Sequence, residues 1–113
     1  MDDQARQETY SEFNACVNIA PSELEQWLET DQSQSVGDTS GEGGESTGHK
    51  SGRRIVALKR THKADLTDDD YEHMGKVVGY VHRHGAQRPS GEIEDTRWRY
   101  SLMNWGHDPL KSG

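Results

Sequence analysis

Apolar positions along this chain recur at intervals of three and four residues. Nowhere do they alternate with the period of two that marks a strand. Tyr10, Phe13 and Val17 share one face of a first helix spanning about residues 4–18. Pro21 stops that helix or turns the chain. Ser22 and Glu25 have the spacing of a capping box, and Leu24, Trp27 and Leu28 supply the stripe of a second helix that ends near Thr30. Residues 31–48 hold five glycines, four serines and two threonines, with Val36 the only large apolar residue. Such a stretch buries too little surface to offset its ordering entropy and is expected to be a flexible acidic loop.

The second half resumes the helical pattern. A third helix from Ser51 to about Lys63 puts Ile55, Leu58 and His62 on one face, with Lys50, Arg53 and Arg60 on the other. A fourth opens with the box Thr67–Asp70, carries Asp68, Asp69 and Asp70 at its positive end, and ends by Gly85. Its inner stripe is Tyr71, Met74, Val78 and Val81, and Gly75 and Gly79 are expected to admit a neighbouring helix closely. After a turn at residues 87–91, a last helix over about residues 94–105 presents Trp98, Leu102 and Trp105 as core, leaving Arg99 and Tyr100 outside. Asp108-Pro109 ends regular structure. The pattern predicts a single all-α domain over residues 1–113, about five short helices in an irregular bundle with one long Gly/Ser-rich loop.

Composition narrows the picture. Hydrophobic residues make up 29% of the chain, against roughly 45–50% in ordinary globular domains. No apolar run approaches the roughly 20 residues of a spanning helix, and MDDQARQETY does not read as a secretory signal. No membrane association is expected, and the expected compartment is the cytoplasm. Cys16, the lone cysteine, is read as a small apolar filler. The net charge of -7 is uneven: residues 1–48 hold eleven acids and one base, residues 49–113 nine acids and twelve bases.

No catalytic set emerges. His82 and His84 point away from each other on a helix, no H-x-x-x-H spacing exists, and one cysteine cannot build a zinc finger, so no metal and no cofactor are expected. The Asp68–Asp70 cluster suits a helix start better than acid–base work. The glycines at 41, 43 and 44 lead to no phosphate-loop lysine. An enzyme would need His82 or His107 joined to a carboxylate in a pocket, and no small-molecule substrate suggests itself. What remains is binding. Lys50, Arg53, Arg54, Arg60 and Lys63 form a basic stripe, His82, Arg83, His84 and Arg88 a second patch, and Arg97 and Arg99 a third. Such cations give sequence-independent, salt-sensitive affinity for nucleic-acid phosphates. The expected function is therefore non-enzymatic DNA or other nucleic-acid binding through Lys50, Arg53, Arg54, Arg60, Lys63, Arg83 and Arg88. The alternative is a protein–protein interaction or stress-associated module that docks a protein partner through its acidic N-terminal helices or its Trp-rich C-terminal helix.

Four blocks, APSELEQWLETDQSQSVG, GESTGHKSGRRIVALKR, LTDDDYEHMGKVVGYVHRHGAQRP and DTRWRYSLMNWGHDPLK, follow in this order. Together they resemble the uncharacterised domain-of-unknown-function family three-one-four-zero over roughly residues 11–111. The resemblance implies an all-helical fold and no known catalytic residues. It adds a push toward DNA, since some members carry the label DNA-binding protein. It also singles out Gly48 to Arg54, where a capping Ser51 followed by Arg53 and Arg54 would suit an anion at a helix start.

Overall fold

A computed structural model describes residues 2–36 and 47–111. Among them lie six α-helices, one 3-10 turn and no strand: α1 (Asp3–Cys16), α2 (Pro21–Leu28), α3 (Asp31–Ser35), α4 (Thr47–Lys59), the turn Lys63–Asp65, α5 (Asp68–Gly85) and α6 (Arg97–Asn104). The all-helical expectation holds, and the local instructions decide where each helix starts. Asp2 caps α1 by accepting from the Ala5 N–H at 2.7 Å. In α5 both halves of the Thr67–Asp70 box form. Thr96 caps α6, so that helix begins at Arg97 rather than near residue 94.

Three sequence expectations are corrected. The Ser22–Glu25 box does not form: Pro21 takes the first helical position, with Ala20 as cap, which places Ser22 inside the helix. Proline is preorganised for that position and lacks the N–H a cap would satisfy. The flexible-loop assignment fails at its start, where Thr30 caps α3 by accepting from the Ser33 N–H. Residues 37–46 of that loop lie outside the described residues. Finally, α4 starts at Thr47 and stops at Lys59, so Ser51 lies within the helix rather than capping it, and His62 and Lys63 fall beyond its end.

Two helix pairs organise the packing. α1 lies on α5 and α2 on α4, while α6 touches α2, α3, α4 and α5. The core runs through all of them. Phe13, Leu24, Ile55, Met74, Val77 and Leu102 are almost completely buried, each contributing about 1.5–3 kcal/mol of hydrophobic stabilisation. Close approach occurs at a glycine the sequence reading passed over. A Cβ on Gly52 would meet the Asn104 carbonyl oxygen at 2.6 Å and Leu28 Cδ2 at 2.7 Å. At Gly75 and Gly79 it would meet nothing within 4 Å. These two glycines face outward and admit none of the described helices.

Candidate nucleic-acid interface

The sequence-predicted cations separate into those engaged within the protein and those left open. Arg54 is drawn to the start of α5, where its Nη2 bonds Asp69 Oδ2 at 2.7 Å and reaches Asp70 Oδ1 at 3.4 Å. The Thr67 backbone N–H donates to the Asp70 carboxylate. That bond, and then the Thr67 hydroxyl and Arg54, hold the carboxylate below its usual range against the effect of burial. Arg60 pairs with Glu25 of α2. Lys63 donates to Gln7 and sits over the Tyr10 ring at 4.8 Å. Arg53 lines the edge of a cavity between α2 and α4. Arg88 lies over Trp98 at 5.7 Å. Lys50 is exposed on α4 and Arg83 on α5.

The C-terminal aromatics are turned inward. Between α5 and α6 the rings of His73, Trp105, Tyr80, His84 and Trp98 stack in order, with centroid separations of 6.4, 4.3, 5.2 and 6.3 Å. The Trp98 Nε1–H donates to the His84 carbonyl at 2.6 Å. Trp105, Tyr80 and His84 each stack on two neighbouring rings. Arg99, expected outside, is bound instead to Asp108. Its Nε and Nη2 each reach a carboxylate oxygen at 3.1 Å, and the two side chains are 18% and 9% exposed. Gly106, at φ +79°, lets the chain turn back so that Asp108 can make this pair. Burial alone would raise the Asp108 pKa, but the bonds from Arg99 and the Leu110 N–H outweigh it and hold the carboxyl low.

Asn104, buried at the end of α6, joins three helices. It accepts from Trp27 Nε1 at 2.8 Å and from the Ser33 hydroxyl, and donates to the Ser33 carbonyl at 3.0 Å. Asn18 and Asp108 exchange two further bonds, at 2.8 and 3.0 Å. His107 Nδ1 lies 2.7 Å from the Cys16 carbonyl. This segment is a structural clasp.

The open cations point to α5. From His73 to Gly91 the chain contains no acid, while Lys76, Arg83, Arg88 and three histidines fall within it. Lys76, His82 and Arg83 are exposed, and the bare backbone of Gly75 and Gly79 lies on the same side. Among the described residues Lys50, Lys76 and Arg83 make no ion pair. Lys76 was missing from the sequence-predicted set, although the acid-free interval around it was visible in the sequence.

Two further features of the geometry bear on chemistry. Cys16 Sγ lies 3.7 Å from His82 Nε2, but burial, and then Glu12, raise the thiol pKa and disfavour the thiolate. The cavity between α2 and α4 has a volume of about 610 Å³, with Glu25 and Glu29 on one wall and His49 and Arg53 on the other. Two of these groups have partners within the protein: Glu25 holds Arg60, and His49 Nε2 lies 2.6 Å from the Leu28 carbonyl. Among the described residues no cluster of three or more His, Cys, Asp or Glu could hold a metal ion. None of their helices is long and apolar enough to cross a membrane.

An all-helical fold with, among the described residues, a clasped segment after α6 and an open cationic face on α5 is the class the structure defines. By sequence the chain matches, over residues 12–103, the family described as "Protein of unknown function (DUF3140)", and it belongs to that family. No curated protein and no solved structure matches it.

Proposed function

We propose that this protein is a small, non-enzymatic nucleic-acid-binding module that contacts the phosphate backbone through the outer face of α5. The observation that carries this reading is the pair Lys76 and Arg83. They are seven residues apart on one exposed helix face and have no acid partner among the described residues. Seven residues span about 10 Å along a helix. Both cations therefore face one ligand, and the glycines between and beside them leave room for a backbone to come close. Positive charge at the C-terminal end of α5 also complements the helix dipole, which is a structural use of the same residues. Binding is the use that an exposed Lys76, well inside the helix, adds to it.

Fluorescence anisotropy with labelled duplex and single-stranded DNA, at low and at high salt, tests the reading. The wild-type protein should bind at low salt and release as salt rises. Replacing Lys76 and Arg83 together with Ala should weaken binding and lower the salt slope by roughly two. Replacing Arg54, which the protein holds on its own carboxylates, should change the slope little. Equal affinity in wild type and the Lys76→Ala/Arg83→Ala variant removes this face. No binding at low salt removes nucleic acid altogether and leaves a protein partner for the acidic surface of α1 and α2.

A further inference from the structure

Side chains of α4 and α5 reach across from one helix pair to the other. Two links cross this seam: the Arg54 ion pairs with Asp69 and Asp70, and a contact of 3.0 Å between Ser51 Oγ and His73 Nε2. Ser51 is only 3% exposed, so water cannot readily replace its partner. The His73 ring is half-buried, and its face stacks on Trp105 at 6.4 Å. The charged groups around it are Arg54 from α4 and Lys76, Asp69 and Asp70 from its own helix. From α6 it meets the uncharged Trp105 indole.

We propose that the α4–α5 seam is a pH-sensitive latch, closed around neutral His73 and loosened when that imidazole gains a proton. With its proton on Nδ1, neutral His73 accepts the Ser51 hydroxyl hydrogen at Nε2. Once protonated, Nε2 can only donate, so the bond must reverse and the buried Ser51 hydroxyl must turn its proton to another acceptor. A further positive charge then lies half-buried near Arg54 and Lys76, while Asp69 and Asp70 are already bound to Arg54. Burial, and next Arg54 and Lys76, hold the His73 pKa below its usual 6.5, with Asp69 and Asp70 opposing. A histidine depressed in the folded state makes its full contribution above about pH 6.5 and loses it as pH falls through the folded value. Asp70 and Asp108 are held below 3.8, so their contributions are lost only at more acid pH. The latch is independent of the nucleic-acid reading.

Amide hydrogen exchange on the full chain at about pH 7.5 and 5.5, corrected for intrinsic rates, tests it. Residues 51–59 and 68–76 of the wild type should open more at the lower pH, by up to about tenfold, the most that one pH unit below the usual 6.5 supplies. His73→Gln keeps an amide to bond Ser51 and cannot titrate, so its protection should be the same at both values. Equal acid loosening in wild type and His73→Gln, or none in the wild type, overturns the proposal. Should His73→Gln fail to fold, an NMR titration of the assigned His73 ring in the wild type decides. A midpoint below 6.5 supports the latch and one at or above 6.5 overturns it.

Discussion

The C-terminal clasp and the outer face of α5 start from similar materials, with arginine, histidine and glycine in both, and end in opposite conditions. In the clasp each group has a partner inside the protein. Arg99 holds Asp108, Asn104 links α2, α3 and α6, and the Trp98 and Trp105 rings sit in a stack. On α5 the cations Lys76 and Arg83 face solvent, and Gly75 and Gly79 have empty space where a Cβ would stand. The residue types do not distinguish the two regions. The difference is whether the chain returns to meet them. Gly106 turns residues 107–111 back onto the ends of α1 and α6, and no described element crosses the outer side of α5 at its glycines.

Substitutions can break this contrast. The largest expected effect is at Arg99. Its replacement by Ala leaves Asp108 buried and unpaired, which should cost about 3–5 kcal/mol, measured as a fall in the urea unfolding midpoint. A loss below about 1 kcal/mol would show that the clasp does not depend on this pair. Next comes Gly52→Ala. The new methyl would sit 2.6 Å from a backbone oxygen, so a shift is unavoidable, and about 1–3 kcal/mol should be lost. The smallest effect has the opposite sign. Gly75→Ala and Gly79→Ala meet nothing and remove a poor helix former, so each should raise stability by about 0.5–1 kcal/mol. A destabilised Gly75→Ala would mean that the outer face is covered in solution.

How much of this could be read from the sequence follows from how far apart the relevant groups lie. The Thr67–Asp70 box was legible because the whole instruction fits in four residues. The Ser22–Glu25 box has the same spacing and fails because a neighbouring proline has the stronger claim on the helix start. α3 was missed because its polar sequence shows no apolar stripe. What anchors it is Ser33 bonded to Asn104, 71 residues away. Gly75 and Gly79 looked like a packing notch on spacing alone, but the notch is at Gly52, whose neighbours Leu28 and Asn104 are remote in sequence. The basic residues could be counted from the sequence. Which of them the protein's own acids would neutralise could not, since Arg60 meets Glu25 across 35 positions.

The clasp also bears on how the chain acquires its shape. Trp27 bonds Asn104 across 77 residues and Asn18 bonds Asp108 across 90, so these contacts close long loops and carry an entropic cost. The single helices have local sequence cues for their formation, but α6, which touches members of both pairs, comes only with residues 97–104. During synthesis the earlier helices emerge first, with Leu28 and Ile55 lacking their final cover until that segment is released. For so small and polar a protein, that interval is when its few apolar side chains are most open to aggregation.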